Sequence, residues 1–500
     1  MKKLIILLGI FSLTISCNDD LSDMNVDPIN PSAVPAASLL GNAEKNLVDY
    51  MTSTNVNTNV FRLFAQQWTE TTYLDESRYD ILQRNVADNT WRTLYRNVLR
   101  DLKEAHDITS SEQALTDSEI AVKKNKLAVI EFLTVYAYSV TVDIFGNIPY
   151  TQALNAEAYP SPAYDDAQTI YKDLFARLDA ALASTDVTEE SFNSDFIYLS
   201  NPLDATTGGD MTKWVKFANS LKLRMAITVA DAPGLASLAK TAGEQAVVDG
   251  VFESSDDNAA LQYLSVQPNT NPLYEDLVTS GRYDFIAAEP FVDKMNALND
   301  PRRPFYYIPL EDGTFVGGPY AQGGDFFEYS SPGDPTGGPT TVLLNPTLKG
   351  ILIDYTEVEF YLAEAAERGW AVTGSAESHY NNAITSSILY WGGTPADATT
   401  YLAQPTVAYA TAAPTWQEKI GNQAWIGYYN RGFEAWTTWR RLDFPAIVAP
   451  VNAASAAEGQ IPKRFTYPVL EQTLNGANYA AAGAAIGGDK LKTKLFWDIH

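Results

Sequence analysis

The amino-acid sequence predicts a mainly α-helical protein, in which tetratricopeptide-like helix pairs form a scaffold that carries a long, irregular, loop-rich insertion. Apolar residues recur at spacings of three and four along most of the chain, as they do in amphipathic helices. Alternation of apolar and polar residues, which would indicate strands, is scarce. The 500 residues are 46% hydrophobic and 19% charged, a composition typical of a globular protein with a sizeable core.

The N-terminus is typical of a bacterial export signal followed by a lipid anchor. Two lysines precede a short apolar run that ends just before Cys17, and a lone cysteine at that place resembles a lipobox. We predict a signal peptide over residues 1–16, a lipid anchor on Cys17 with a flexible tether over residues 17–35, and one folded domain over residues 36–500. The alternative is that Cys17 stays a free or buried thiol after ordinary secretion. The acidic residues that follow Cys17 resemble the signals that direct lipoproteins to the cell surface.

Three pairs of amphipathic helices follow from the spacing of the apolar residues. Small alanines let two helices approach, and aromatic side chains fill the remaining space, as in a degenerate tetratricopeptide array. The predicted pairs are 91–102 with 120–140, 162–182 with 214–229, and 355–370 with 376–389. Two further helices are predicted over 417–428 and 432–440, before an extended tail rich in alanine and glycine.

The segment over about residues 251–350 differs from the rest of the chain. It is rich in proline, glycine, asparagine and aromatic residues, and its apolar spacing predicts only one helix, over residues 289–299. Long irregular segments held by a rigid scaffold commonly carry binding residues. We therefore expect this segment to contribute to a functional site.

Composition excludes several classes of function. The chain has 35 basic and 61 acidic residues and a formal net charge of −26, so it lacks the basic surface that nucleic acids require. One cysteine and three histidines leave no disulfide within the chain and none of the common zinc frameworks. The acidic residues Glu253, Asp256 and Asp257 could hold a structural calcium ion, but they lack the spacing of an EF-hand, which favours a solvated loop. No cofactor and no catalytic residue is assigned.

Eight strings spread in order along the chain resemble one known family. They are FAQQWTETTYLDESRYD (64–80), YDDAQTIYKDLFARLDAAL (164–182), GGDMTKWVKFANSLKLRMA (208–226), NDPRRPFY (299–306), EVEFYLAEAAERGW (357–370), EAWTTWRRLDFP (434–445), IPKRFTYPVLEQTLN (461–475) and KLFWD (494–498). Together they are similar to the SusD/RagB family of outer-membrane nutrient-binding lipoproteins. The resemblance implies a protein without enzymatic activity that captures an oligosaccharide or a peptide and delivers it to a SusC-like TonB-dependent transporter.

Sugar rings stack on aromatic planes, and their hydroxyl groups pair with Asp, Asn and Arg side chains, so a glycan-binding site needs exposed aromatic rings beside polar groups. Two loops offer that combination. The predicted ligand-binding residues of the first loop are Tyr73, Asp75, Arg78 and Tyr79, and those of the irregular segment are Tyr274, Arg282, Tyr283, Tyr320, Phe327 and Tyr329. Trp68 is expected in the core because of its helical spacing from Phe64, whereas Tyr320 and Tyr329 are as compatible with exposure as with burial.

Two other functions are compatible with the sequence. A surface glycan hydrolase could act through a pair of carboxylates, since 61 acidic residues always provide such pairs. A structural or adhesive lipoprotein would bind no small ligand. The net charge argues against an acidic glycan as ligand, although the basic pairs Arg302–Arg303 and Arg440–Arg441 could form a local basic face.

Overall fold

The computed structural model describes residues 34–199, 207–334 and 340–500. The predicted signal peptide, Cys17 and all but the end of the predicted tether lie outside the described residues. The helices are α1 (Ala36–Thr52), α2 (Phe61–Phe64), α3 (Val86–Arg92), α4 (Arg100–Ser111), α5 (Asp117–Phe145), α6 (Ala167–Ser184), α7 (Met211–Thr228), α8 (Ala236–Asp249), α9 (Pro272–Tyr274), α10 (Glu289–Ala297), α11 (Arg303–Tyr306), α12 (Tyr355–Glu367), α13 (Ala376–Tyr390), α14 (Pro395–Leu402), α15 (Trp416–Gly427), α16 (Gly432–Leu442), α17 (Val469–Leu474) and α18 (Gly476–Ala485).

Strands are few and short in the described residues, as the sequence predicts. They form three antiparallel pairs. The strands are β1 (Trp68–Glu70), β2 (Ile148–Pro149), β3 (Tyr164–Asp165), β4 (Ala259–Leu261), β5 (Phe285–Ala287) and β6 (Gly350–Ile353), and they pair as β1 with β5, β2 with β3, and β4 with β6. The protein is therefore mainly α-helical, with little sheet, and the predicted fold class is confirmed.

The longest helix, α5, lies in the centre of the helical scaffold. Thr116 and Glu119 form a capping box at its start, where each side chain bonds the backbone N–H of the other. Within the described part of the chain, α5 alone is long and apolar enough to cross a membrane, but most of its apolar stretch is buried inside the protein. We interpret α5 as the core helix of a globular domain, since the helices around it already cover its apolar surface.

The first and third predicted helix pairs are confirmed. Helices α4 and α5 pack against each other, and so do α12 and α13. A π-helical stretch over Thr93–Leu99 joins α3 and α4, so residues 86–111 form one continuous helical segment.

The two helices of the second predicted pair contact each other, but neither is the main partner of the other. Helix α6 packs chiefly against α5, and α7 packs chiefly against α8. The apolar spacing did not indicate α8, because its buried face consists mainly of alanine and of Gly243. A Cβ atom at Gly243 would lie 2.3 Å from the Trp370 ring, so only glycine permits this close approach.

The described part of the irregular region, residues 251–334 and 340–350, has the predicted helix as α10 and two shorter helices, α9 and α11, that the sequence did not indicate. The predicted extended tail is also wrong in part, since it contains α17 and α18. Neither helix has an apolar stripe, because α17 buries none of its residues and α18 buries only Ala482 and Gly483.

The basic pairs Arg302–Arg303 and Arg440–Arg441 do not form a surface for an acidic ligand, because three of their four side chains are buried. Arg302 is fully buried and donates to both carboxylate oxygens of Asp300, at 2.8 and 2.6 Å. The guanidinium of Arg440 lies 3.4 Å from the Trp436 ring centroid, and that of Arg441 donates to both carboxylate oxygens of Glu364. These arginines satisfy internal acceptors and stabilise the packing of the helices.

Candidate ligand-binding site

A short strand pair brings together the two loops in which the sequence predicts ligand-binding residues. Strands β1 and β5 are antiparallel, with Trp68 opposite Ala287 and Glu70 opposite Phe285. The chain leaves β1 at Thr71, whose backbone N–H donates to the Asp284 carbonyl oxygen at 2.9 Å. The loop after β1 and the loop before β5 therefore lie at the same end of this strand pair.

A third segment, residues 318–329, lies against the same loops. The backbone N–H of Ala321 donates to Thr69 Oγ1 at 2.9 Å, and the N–H of Gly324 donates to the Thr71 carbonyl oxygen at 3.2 Å. A Cβ atom at Gly323 would lie 2.9 Å from that same carbonyl oxygen, and its φ of +78° also favours glycine. Glycine therefore allows this segment to approach the first loop closely.

The loops enclose a cleft of about 240 Å³. Its lining residues are Val56, Glu70, Thr72, Tyr73, Glu76, Arg84, Arg282, Asp284 and Phe285. Tyr73 and Arg282 were predicted as ligand-binding residues on different loops, and the structure places them together.

Tyr73 presents an aromatic ring to solvent at this cleft. It has a φ of +55°, and 68% of its surface is exposed. The Arg282 guanidinium lies 5.6 Å from the ring centroid, and its Nε and Nη2 atoms donate to the two carboxylate oxygens of Asp284 at 2.5 and 2.9 Å. The three side chains form an aromatic plane beside a charged, bidentate hydrogen-bonding group, which suits a polyhydroxylated ligand.

Two glutamates line the cleft and hold the loop that carries Tyr73. Glu70 Oε2 accepts the backbone N–H of Ser77 at 2.9 Å, and Ser77 Oγ accepts the N–H of Glu70 at 3.2 Å, so the loop is closed from both ends. Burial, together with the charge of Glu76, raises the pKa of Glu70 to about 9. Burial also raises the pKa of Glu76, whose Oε1 lies 2.6 Å from Arg84 Nε. At neutral pH the pair therefore holds a proton.

A cluster of three aromatic rings adjoins the cleft. The Tyr283 ring centroid lies 4.7 Å from that of Phe326 and 5.2 Å from that of Phe327. Phe326 is buried and Phe327 is 65% exposed. Tyr283 follows Arg282 in the chain, so the exposed ring of Phe327 extends the apolar surface beyond the cleft.

The remaining predicted residues that reach the surface lie around the cleft without lining it. Asp75 is exposed and lies 3.4 Å from Arg84 Nη2, and Arg78 is half-buried with its Nε donating to the Ala321 carbonyl oxygen at 3.2 Å. Tyr329 is half-buried, and a Cβ atom at Gly324 would lie 2.7 Å from its ring. Tyr274 is half-buried in α9 and does not line the cleft.

Two predicted ligand-binding residues are corrected, because the structure places Tyr79 and Tyr320 in the core. The Tyr79 hydroxyl accepts a hydrogen bond from Gln66 Nε2 at 3.1 Å, and burial raises its pKa to about 12. The Tyr320 hydroxyl donates to the Leu63 carbonyl oxygen at 2.6 Å. Both rings lie beneath the loops, where they support the cleft but are not available to a ligand. Trp68 is buried as predicted, and its indole N–H donates to the Tyr429 hydroxyl at 3.1 Å.

Sequence reasoning missed most of the polar residues of the cleft: Glu70, Glu76, Arg84 and Asp284. Asp284 stands two positions from Arg282, so its charge beside a predicted residue was an available signal. The glutamates gave no such signal, since their approach depends on the fold of the loop that follows β1.

The acidic residues considered for calcium lie around a lysine. Lys216 Nζ is 2.7 Å from Glu253 Oε2 and 3.0 Å from Asp257 Oδ2, while Asp256 contributes only its backbone carbonyl oxygen, to Lys213. Across residues 34–199, 207–334 and 340–500, no group of three or more histidine, cysteine or acidic side chains is arranged to hold a metal ion. An ammonium group occupies the position that a cation would take.

Comparison with known proteins identifies the family. The profile described as SusD-like, "Starch-binding associating with outer membrane", matches residues 28–468. The chain belongs to the SusD-like family. Among solved structures similar to this SusD-like protein is a chitin-binding protein with 25% sequence identity and a TM-score of 0.77, in an alignment that covers 93% of this chain and 100% of that chain. No curated protein matches the chain in sequence.

Two further SusD-like structures share the fold. A SusD-like protein from Bacteroides thetaiotaomicron has 25% identity and a TM-score of 0.73, covering 93% of this chain and 98% of that chain. A chitin-binding SusD homologue from Flavobacterium johnsoniae has 22% identity and the same TM-score and coverage. The resemblance stated from the eight sequence strings is thus confirmed.

Proposed function

We propose that this SusD-like protein is a cell-surface lipoprotein that captures an oligosaccharide, or in the alternative a peptide, and delivers it to a SusC-like TonB-dependent transporter. The observation that carries the proposal is the exposed ring of Tyr73 beside the Arg282–Asp284 pair at the mouth of the cleft. The exposed ring of Phe327 adds a second stacking surface nearby.

The side chains of the cleft favour a glycan over an apolar ligand. A sugar ring offers C–H groups to the Tyr73 ring and hydroxyl groups to Asp284 and Arg282, so each part of the sugar finds a partner. The closed loop between Glu70 and Ser77 holds Tyr73 in place before the ligand arrives, which lowers the entropic cost of binding. The name of the chitin-binding relative with 25% identity supports the same class of ligand.

Hydrolysis by the two glutamates of the cleft is not supported by their geometry. The two carboxyl groups are close enough for each to shift the pKa of the other directly. The catalytic carboxyl groups of glycosidases are roughly 5–9.5 Å apart, because a glycosidic bond, and in some enzymes a water molecule, must fit between them. We therefore propose binding without turnover.

Calorimetry tests the cleft directly. The chain without residues 1–17 is titrated with chitin oligosaccharides, maltooligosaccharides, acidic oligosaccharides and oligopeptides, and each mixture is then examined by chromatography for products. We expect binding without products, and we expect Tyr73→Ala to weaken it roughly tenfold, which corresponds to about 1.4 kcal/mol.

Tyr159→Ala is the matched control, since Tyr159 is also an exposed tyrosine, with 42% of its surface accessible, and does not line the cleft. Equal effects of the two substitutions, or no binding to any compound, would contradict the proposed cleft. New products in the chromatogram would show that the protein is a hydrolase.

Delivery to the transporter is tested in a separate experiment. The full-length chain is tagged and purified from detergent-solubilised outer membranes, and we expect a TonB-dependent barrel to co-purify with it.

A further inference from the structure

A row of exposed arginines runs along the helical segment that begins at the edge of the cleft. Arg84 lines the cleft, and α3 begins two residues later, at Val86. Arg92, Arg96 and Arg100 follow at intervals of four residues, and all three side chains are exposed. We call these three residues the arginine row.

The π-helical stretch over Thr93–Leu99 keeps the row on one face. In an uninterrupted α-helix, Arg100 would be rotated by about 80° from Arg92, because 3.6 residues make one turn. A π-helical turn contains more residues than an α-helical turn, so it reduces this rotation. The three residues therefore lie close to one line along the helix, and the rise from each to the next is less than the roughly 6 Å of an α-helix.

The row has no carboxylate partner within the described residues. Arg92 Nη2 donates to Asn89 Oδ1 at 2.8 Å, whereas Arg96 and Arg100 have neither a hydrogen bond nor an ion pair in the described part of the chain. Many other arginines of the described chain, such as Arg302 and Arg441, are paired with carboxylates. The row is thus distinguished both by its exposure and by its unpaired charge.

The acidic residues beside the row are engaged with other groups. Asp88 accepts the backbone N–H groups of Val469 and Leu470 at 3.2 and 3.3 Å, at the start of α17. Asp101 accepts a hydrogen bond of 2.6 Å from the side-chain amide of Asn42, which lies on α1. These carboxylates keep their negative charge, but neither they nor Glu104, which is exposed one turn after Arg100, form an ion pair with the row within the described residues.

We propose that the arginine row binds an anionic glycan, one whose sugar units carry carboxylate or sulfate groups, and that it extends the cleft into a longer site for such a chain. The inference rests on the proposed function of the cleft. A protein with a net charge of −26 repels polyanions at a distance, so a row of unpaired guanidinium groups is a local reversal of that charge. Guanidinium groups bind carboxylate and sulfate with two parallel hydrogen bonds, and their spacing along the helix is comparable with the length of one sugar unit.

The test uses oligogalacturonate and heparin oligosaccharides as anionic probes and maltooligosaccharides as neutral probes, with the chain lacking residues 1–17. We expect the triple variant Arg92→Gln, Arg96→Gln, Arg100→Gln to weaken binding of an anionic probe at least about tenfold. We expect its binding of neutral glycans to be unchanged. In the wild-type protein, raising the salt from about 50 to about 200 mM should weaken anionic binding roughly tenfold, and the variant should lose most of this dependence.

The triple variant Lys490→Gln, Lys492→Gln, Lys494→Gln is the matched control, because it removes the same net charge elsewhere on the surface. Circular dichroism checks that each variant is folded, and Arg92→Lys, Arg96→Lys, Arg100→Lys checks whether charge alone restores binding. Equal losses in the Gln variants of the arginines and the lysines would overturn the proposal, and so would the absence of binding to both anionic probes.

Adsorption to phosphatidylglycerol vesicles tests whether the arginine row contacts a membrane instead of a glycan. If the arginine variant loses adsorption to vesicles while neither anionic glycan binds the wild-type protein, the row is a membrane contact and the proposal fails. The two proposals fail in different ways. Loss of neutral binding in Tyr73→Ala reports on the cleft, whereas binding of the anionic probes and its salt dependence report on the arginine row, so the two failures can be told apart.

Discussion

His379 Nδ1 lies 2.7 Å from Glu359 Oε2, and Nε2 of the same ring lies 2.6 Å from the Thr373 carbonyl oxygen. Both partners are acceptors, so the protonated imidazolium, which donates from both nitrogens, fits this position best. Burial lowers the pKa of His379, but the hydrogen bonds to Glu359 and Thr373 outweigh it and raise the pKa above its usual value of 6.5. The contact joins the first turn of α13 to α12.

Replacement of this histidine should have an effect that depends on pH. A raised pKa in the folded state stabilises the fold below the unfolded pKa near 6.5, and this stabilisation is lost as the pH rises through the folded pKa. We therefore expect His379→Gln to lower the free energy of unfolding most below pH 6.5, with the difference from wild type narrowing above it. Urea denaturation at a series of pH values measures this difference. His106→Gln, on an exposed helix face, is the control, and a pH-independent difference for His379→Gln would contradict the expectation.

Arg302 and Arg303 are neighbours in sequence with different surroundings. Arg302 is fully buried and pairs with Asp300, while Arg303 is half-buried and donates to Asn296 Oδ1 and the Asp300 carbonyl oxygen. Removal of one member of a buried pair leaves the other charge without a partner, so we expect Arg302→Met to lower the free energy of unfolding by about 3–5 kcal/mol. We expect Arg303→Met to lower it by about 1 kcal/mol or less. Chemical denaturation measures the free energy of unfolding of both variants. Similar losses would show that the buried Arg302–Asp300 pair contributes no more to stability than the half-buried Arg303.

The proton held by Glu70 and Glu76 also makes stability fall as the pH rises, but here the substitution should stabilise the protein, in contrast to His379→Gln. Because the pKa of Glu70 is raised from 4.5 to about 9, the folded state binds an extra proton between these values, and stability falls as the pH rises across that range. Glu70→Gln removes this dependence while keeping a side chain of the same shape. We expect the variant to gain stability relative to wild type by up to about 1.4 kcal/mol for each pH unit within the range.

Thermal denaturation of the Glu70→Gln variant and of wild type from pH 5 to about pH 9 tests this expectation. Glu104→Gln, an exposed glutamate on α4, is the control and should show no such trend. Parallel pH profiles for Glu70→Gln and wild type would show that Glu70 is ionised in the folded protein.

The helices that the sequence predicts best are those with a clear apolar stripe. Helix α15 (Trp416–Gly427) and helix α16 (Gly432–Leu442) lie within two residues of the predicted bounds, because tertiary packing uses the same stripe that the sequence shows. Helix α8 (Ala236–Asp249) and helix α18 (Gly476–Ala485) were not predicted, since alanine-rich faces give little contrast between buried and exposed positions.

The candidate site shows where sequence reasoning stops. Tyr73 and Tyr79 lie on one loop and both have a positive φ, yet Tyr73 is exposed and Tyr79 is buried. The residue type is the same, and the neighbours, Thr72 and Leu74 for Tyr73 but the charged Arg78 and Asp80 for Tyr79, do not indicate that Tyr79 is the buried one. The path of the loop decides which ring is buried. The pairing of Tyr73 with Arg282 depends on strands of three residues, which are too short to leave an alternating pattern in the sequence.

The strand pair that joins the two loops has a consequence for folding order. Thr71 and Tyr283, whose hydrogen bond holds the loops together, are 212 residues apart in the chain. Contacts of such long range form late, since the loss of chain entropy on closing a large loop comes before any gain from the contact. A fragment of the chain that ends before Tyr283 can contain many of the helices but cannot contain the cleft. The cleft therefore forms only when most of the chain is present. Truncation from the C-terminal side removes the cleft before the truncation reaches the first helix pairs.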